Sequence, residues 1–508
     1  MAIKSPSPLN LRSKISKTHS FSKFKTINCL TNSDEVPITH QGPDNRLLLD
    51  PFRPSQLETT TLGRHIARRL KEIGVSDVFT VPGDSNLLLL DHIMDEPGMN
   101  LIGCCNELNA GYAADGYARG RGVGACVLTF TVGGLSAINA IAGAYSENVP
   151  VICIVGSPNT NYYGSNLNLH HAVDKLDFSE EFSCFKHVTC HQAVVNRLED
   201  AEEKIDQAII AALEHSKPVY ISISCNLPTV SITKQNIPLF FSPKLSNPLS
   251  LEAAVEAAAG LLNKAVKPVL VAGPGIGTSK ACDAFLGLAK ACGYAIAYLP
   301  SSKGIIPENH PRLAGCYWGA VSSPACKDVV ESADATLFVG PLFDDILSGG
   351  HTMSFVKETA IMVKETNVAL GNGVGKFGGV MMRDFLEALT KKVKMNNGSY
   401  EDYVRRRRNM LDGGSNELQV VAPGFIKTRV LYEHIQKMLS DETIVVPDTG
   451  DSWFQCIKLA LPHGCGFQIQ IHYASLGWSI GATLGLAQAA PNKRVITCVG
   501  DGAFQVCV

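Results

Sequence analysis

The 508-residue chain is 45% apolar and 18% charged and carries 45 glycines, a composition that excludes a disordered or fibrous protein and suits roughly two to four α/β units. Its net charge of -2 gives no electrostatic case for nucleic acid or an anionic membrane surface, and no apolar run approaches the ~18 residues that span a bilayer. Sixteen cysteines without a C-x-x-C pair, several inside apolar runs (Cys126, Cys153, Cys225, Cys498), read as buried free thiols of a reducing compartment.

From Met1 to Ser33 there are six basic residues, scattered serines and no acidic residue. That is the composition of an organelle transit peptide, with a plain N-terminal tail as the alternative; either way residues 1–60 stand outside the fold. From Thr61 the pattern is regular. Leu62, Ile66, Leu70 and Ile73 share a helical face, Val78 to Val81 is a β-rich run, and Pro82-Gly83-Asp84 turns out of it. Strands at Leu101 to Cys105, Ala125 to Phe130, Val151 to Val155 and Val219 to Ile223 then alternate with helices from Glu107 and Leu135. Such alternation predicts right-handed βαβ units on a parallel sheet over residues 61–226.

Residues 227–248, rich in Pro and Ser, read as a linker. A second unit over 249–389 opens with an Ala-rich helix from Leu251 to Ala265 and the strand Val269 to Ala272. The following Gly273-Pro274-Gly275-Ile276-Gly277 matches neither G-x-G-x-x-G nor the P-loop and reads as a helix-entry turn. Residues 390–424 form a polar connector whose Arg405 to Arg408 read as a solvated face. A third α/β unit occupies 425–508, with a helix from Thr428, a strand from Thr443 and a strand Val495 to Val499. The predicted class is therefore α/β, with three doubly wound parallel-sheet domains.

Glu107 stands at the start of a helix whose Ala110, Gly111, Ala113, Ala114 and Gly116 let it approach a neighbour closely, which would shield a lone carboxylate from water. A structural charge favoured by the helix dipole explains the same residue equally well. Asp84 is either a turn residue or an acid at a strand's carboxyl edge, and His170-His171 are two adjacent groups able to titrate near neutrality. Gly500-Asp501-Gly502 ends the last apolar run, where an Asp between two glycines offers a hard oxygen ligand beside backbone that can approach a phosphate.

Together these residues are similar to the thiamine-diphosphate-dependent 2-oxo-acid decarboxylases, in the branch of the plant-type pyruvate decarboxylases. The resemblance runs from about Thr61 to Gln505. It is carried by Leu62-Gly63-Arg64-His65-Ile66, Val81-Pro82-Gly83-Asp84, Asn106-Glu107-Leu108-Asn109-Ala110-Gly111-Tyr112, Leu169-His170-His171, Tyr317-Trp318-Gly319, Thr449-Gly450-Asp451-Ser452-Trp453 and Gly500-Asp501-Gly502.

The resemblance implies a pyrimidine-binding domain, a central domain and a diphosphate domain, with thiamine diphosphate and Mg2+ as cofactors and pyruvate as the 2-oxo acid. It implies a homodimer or homotetramer with the cofactor between subunits, no nucleic-acid or membrane partner, and a cytoplasmic enzyme, with a plastid as the alternative from the basic start. Glu107 would hydrogen-bond the cofactor's pyrimidine ring, and Asp84, His170 and His171 would relay protons. Thr449, Asp451, Ala474 and Leu476 would hold the pyrimidine, with Leu476 as the wedge that bends the cofactor. Gly500, Gly502 and Ala503 would line the diphosphate, and Asp501 would bind Mg2+.

Four positions depart from the family pattern: Ser85 for Phe, Ala172 for Thr, Asp448 for Glu, and Ala474 for a Gly whose carbonyl accepts from the cofactor. The chain reaches Val508 before the family's remaining Mg2+ ligands and last active-site Glu. The expectation is thus a diphosphate domain cut short and impaired turnover by this chain alone. A non-catalytic subunit that pairs with a full-length decarboxylase is one alternative. Acetolactate synthase or a decarboxylase of bulkier keto acids is the other, although the His pair favours simple decarboxylation.

Overall fold

In the computed structural model, which describes residues 57–173, 177–235, 237–242, 244–371, 375–412 and 426–507, the apolar runs become the strands of three sheets. The first has six parallel strands in the order Asn100–Gly103, Asp77–Thr80, Gly124–Leu128, Val151–Ser157, Val219–Ser224, His191–Val195. Gly124–Leu128, Val151–Ser157 and Val219–Ser224 are buried along their whole length. Covered on both faces, they read as continuous apolar runs rather than alternating ones. The chain adds Asn100–Gly103 on one side of Asp77–Thr80 and Gly124–Leu128 on the other. This reversal opens a crevice beyond the carboxyl ends of those strands, the usual ligand position in open α/β sheets.

The second sheet has seven strands, ordered Leu313–Cys316, Ala295–Tyr298, Pro268–Ala272, Ala335–Val339, Ala360–Val363, Asn367–Leu370, Gly375–Gly378. The last two pairings are antiparallel, so Asn367–Leu370 runs against the other strands, which corrects the expectation of a purely parallel sheet. Only residues 364–366 separate Ala360–Val363 from Asn367–Leu370, too few for a parallel crossover, so the chain folds back as a hairpin. The third sheet is parallel, with Thr443–Pro447 between Gly466–Phe467 and Arg494–Cys498. Here too the order reverses at the central strand.

Three elements lie where the sequence reads as extension or linker. Leu57–Thr61 pairs antiparallel with Ser231–Gln235 in a two-stranded ribbon, so the 227–248 stretch contains a strand, paired with one that reaches into the expected N-terminal extension. A partner 170 residues or more away leaves no local signature. The polar connector contains the helix Gly398–Asp412, on which Asp402 binds Arg406 at 2.9 Å and also Arg405. These pairings at i,i+3 and i,i+4 support a helix that burial alone would not. Arg405 to Arg408 thus lie on a helix and not in a loop. The basic segment of residues 1–33 lies outside the described residues.

The small side chains after Glu107 serve one contact. Helix Glu107–Arg121 packs against helix Trp478–Ala489 so closely that a Cβ at Gly116 would overlap the Ala482 backbone, and one at Gly485 would overlap the Ala113 carbonyl oxygen. First and third sheets are thereby joined through backbone approach. Arg119 completes the contact: its Nε donates to Asp115 at 2.6 Å, one Nη donates to the Ile469 carbonyl at 2.9 Å, and the guanidinium lies 4.7 Å over the Trp478 ring. The cysteines among the described residues are all free, and no helix among them is long and apolar enough to cross a membrane.

Candidate functional site

Three loops leave adjacent carboxyl ends of the first sheet and carry the first group of expected site residues. Asp84 follows strand Asp77–Thr80, Glu107 follows Asn100–Gly103, and the turn Thr129 to Gly134 follows Gly124–Leu128. Asp84 Oδ2 lies 2.9 Å from His170 Nε2, and the His170 and His171 rings stand 4.3 Å apart. All three side chains are exposed and present ligand atoms within 4.8 Å of one another. The structure therefore gathers Asp84, His170 and His171 into one cluster, across 86 residues of sequence.

Glu107 opens its helix with Asn106 as the cap, whose Oδ1 accepts from Asn109 N at 2.8 Å. Its carboxylate lies over Gly133, where a Cβ would stand 3.2 Å from both Glu107 Cγ and Oε1. Ser85 has a structural place as well. Its hydroxyl accepts from Phe130 N and meets the Thr129 hydroxyl, both at 2.9 Å, so the Asp84 loop is tied to the turn beneath Glu107. A Phe cannot make those bonds.

The remaining expected residues gather at the corresponding edge of the third sheet. Asp448, almost fully buried at the end of Thr443–Pro447, accepts from Thr449 N at 2.8 Å, Gly477 N at 3.1 Å and Ser479 N at 3.0 Å. A carboxylate taking three backbone donors fixes the loop carrying Thr449 and Asp451 against the turn carrying Ala474 and Leu476. That role is invisible in the sequence, where Asp448 is only a departure from Glu. Gly500, Asp501 and Gly502 are exposed and Ala503 is buried, at the start of helix Asp501–Val506. A Cβ on either glycine would meet nothing within 4 Å, so the space beside both glycines and the exposed Asp501 is open. Leu476 is a large apolar side chain left 52% exposed.

The two edges are brought together within one chain. Asn109, two residues after Glu107, donates through Nδ2 to the Cys507 carbonyl. Tyr112 OH meets Ser475 Oγ at 2.5 Å, and Asn139 donates to both hydroxyl oxygens and accepts from Tyr473 OH at 2.7 Å. Neither periodicity nor spacing singles out Asn109, Tyr112, Asn139 or Ser475, because each acts through a partner more than 25 residues away.

Ala474 sits in this turn with φ +58°, a left-handed conformation that costs an L-residue roughly 1–2 kcal/mol. The Gly of the family pattern adopts it freely, at the expense of a more flexible unfolded chain. Ala474→Gly is expected to stabilise the protein by about 0.5–1 kcal/mol, read as a higher melting temperature; a lowered one would show that the Cβ contributes packing that outweighs the strain.

Two parallel-sheet edges, each at a topological reversal, thus carry a helix-starting Glu on one and an Asp between glycines on the other. The thiamine pyrophosphate enzyme family matches in all three of its parts: the N-terminal TPP binding domain over residues 60–180, the central domain over 255–387 and the C-terminal TPP binding domain over 449–508. The chain is 58% identical over 451 residues to pyruvate decarboxylase 1 of Arabidopsis thaliana, covering 88% of this chain and 74% of the relative. It is 56% identical over 486 residues to pyruvate decarboxylase 2 of the same plant, covering 92% and 79%, and 57% identical over 459 residues to pyruvate decarboxylase 1 of Pisum sativum, covering 90% and 76%. The chain belongs to the pyruvate decarboxylase family of thiamine pyrophosphate enzymes.

Proposed function

We propose that this chain decarboxylates pyruvate without oxidation, giving acetaldehyde and carbon dioxide, with thiamine diphosphate and Mg2+. The observation that carries this reading is the cluster of Asp84, His170 and His171 at the sheet edge from which Glu107 also projects. The residues present fit the cofactor. Open glycines beside the exposed Asp501 suit a diphosphate and its cation, an exposed Leu476 suits an apolar wedge, and Glu107 at the first position of its helix suits a heterocyclic nitrogen.

Thiamine diphosphate supplies a nucleophilic carbon and an electron sink for the departing carboxylate. The chain's own residues bind, orient and move protons. Glu107 would orient the pyrimidine and exchange a proton at its carboxyl oxygen, while Thr449, Asp451 and the Ala474 carbonyl would hold that ring and Leu476 would give it an apolar support. Asp501, with Gly500, Gly502 and Ala503, would take Mg2+ and the diphosphate. Asp84 orients His170 through Nε2, and the exposed His170 and His171 carry protons between solvent and the reacting carbon.

Acetaldehyde release from pyruvate is expected to require both added thiamine diphosphate and added Mg2+ and to fall by about 10²–10⁴-fold in Glu107→Gln. Release without cofactor, or preference for a bulkier 2-oxo acid, would overturn the assignment. The same reading includes a homodimer or homotetramer, checked by sedimentation with and without cofactor; the site between subunits that the resemblance implies differs from the packing of this chain, which brings the Glu107 and Ala474 edges together by itself. The reading also includes a cytoplasmic location, and a fluorescent fusion of residues 1 to 60 tests that against a plastid.

A further inference from the structure

The turn beneath Glu107 adopts a conformation that few residues tolerate. Val132 N donates to the Phe130 carbonyl at 2.7 Å across Thr131, whose φ and ψ are 46° and -65°. This is the rare γ-turn with positive φ at its centre, here on a β-branched residue. Such backbone persists only where its surroundings over-determine it, and it concentrates at functional sites.

The clamp is Glu181. Its Oε2 accepts from Thr131 N at 2.7 Å, it is 2% exposed, and its Oε1 has no hydrogen bond of normal length. That second oxygen lies against Gly134, where any Cβ would overlap it. Gly133 seats Glu107 and Gly134 seats Glu181, so adjacent glycines at the start of helix Val132–Ser146 each carry a carboxyl group. Phe178, three residues before Glu181, packs edge-on against Phe130 at 5.8 Å and holds the segment in place. We propose that Glu181 is a positioning residue for the cofactor site: its carboxyl group locks the Thr131 turn and so sets the seat from which Glu107 meets the pyrimidine.

Burial pushes the Glu181 carboxyl up to about 7, with the Thr131 amide and the Tyr220 hydroxyl opposing that rise. The titratable groups facing it are Tyr220, Cys153 and Tyr163, each itself raised and so neutral near pH 7. Because the folded pKa lies above the ordinary carboxylate value of 4.5, the stability linked to this group is present below about pH 4.5 and is lost as pH rises through about 7. The grip on Thr131 changes in the opposite sense, since the ionised group is the stronger acceptor.

The inference rests on the role of Glu107 given under the proposed function, and two readouts on the full chain separate the two. Thermal melting is followed from pH 5 to 8, and thiamine diphosphate binding with Mg2+ is followed by tryptophan fluorescence, for the parent, Glu181→Gln and Glu181→Gln/Thr131→Gly. Glu181→Gln is expected to lose the fall in melting temperature toward pH 7 and to bind thiamine diphosphate about tenfold more weakly, the order seen when a group one step removed from a ligand is lost. The added Thr131→Gly, free to adopt positive φ, is expected to restore most of that affinity. Parent-like melting profile and affinity in Glu181→Gln would overturn the inference, as would failure of Thr131→Gly to recover affinity. If Glu181→Gln does not fold, Thr131→Gly alone decides: an affinity for thiamine diphosphate that no longer depends on pH near 7 supports the clamp, and an unchanged dependence overturns it. A parent chain that binds no thiamine diphosphate while keeping a Glu181-dependent melting profile would instead refute the role of Glu107 and with it the positioning role.

Discussion

Arg119→Ala is expected to destabilise the chain by about 3–5 kcal/mol, the scale for breaking a buried ion pair by removing one partner. Arg119 faces two carboxylates in this contact: Asp115, fully buried with Oδ1 at 2.6 Å, and Glu147, whose Oε2 lies 3.6 Å away and whose side chain is 9% exposed. Burial raises the Glu147 carboxyl and Arg119 opposes that rise; without the guanidinium both carboxylates would have to ionise uncompensated in a dry contact. The loss should therefore shrink as pH falls and Glu147 protonates, whereas a merely lost packing contact would cost the same at every pH. Denaturant midpoints at pH 5 and pH 8 would show it. An equal loss at both pH values would mean that the alkyl stem and the contact with Trp478, not the charge, dominate. Glu147 also accepts from His472 N at 2.8 Å and Tyr473 N at 3.3 Å, so the turn that presents Ala474 and Leu476 should loosen with it.

Glu107→Gln is expected to lower kcat/KM for acetaldehyde formation by about 10²–10⁴-fold, the usual contribution of a positioned acid–base group, while leaving the melting temperature nearly unchanged. The two halves of this prediction have separate physical sources. Asn106, not Glu107, caps the helix, so Gln forfeits only the favourable charge at the helix start, about 0.3–1 kcal/mol. The amide occupies the same place over Gly133 but cannot exchange a proton near neutral pH. Turnover within threefold of the parent would remove Glu107 from the chemistry. Unfolding of the variant would show instead that the carboxylate supports the turn at Gly133.

Much of the site was legible before any coordinates, for a reason visible in particular residues. Strands such as Val151–Ser157 and Val219–Ser224 are buried on both faces, so their apolar runs stand out, and the residues that follow the carboxyl ends of other parallel strands (Asp84, Glu107, Asp501) sit where a parallel sheet binds ligands. What escaped notice depends on long-range pairing. The ribbon of Leu57–Thr61 with Ser231–Gln235 is one such case, and the hairpin closing the second sheet is another. Asp448 shows the same limit at the level of one side chain: a conservative departure in the sequence proves to be a carboxylate holding three backbone amides of two loops.

The sequence by itself determined the class of protein, its alternation of strands and helices, and the kinds of residue that could handle a diphosphate, a cation and protons, because periodicity and short motifs are local properties of a chain. Only the tertiary structure decided that His170 reaches Asp84, that Gly133 and Gly134 seat two carboxyl groups side by side, and that Gly116 and Gly485 exist to let two helices meet backbone to backbone. Those are contacts between segments tens to hundreds of residues apart, chosen by packing and by the need to satisfy buried polar groups, and neither requirement leaves a mark on the residues one at a time.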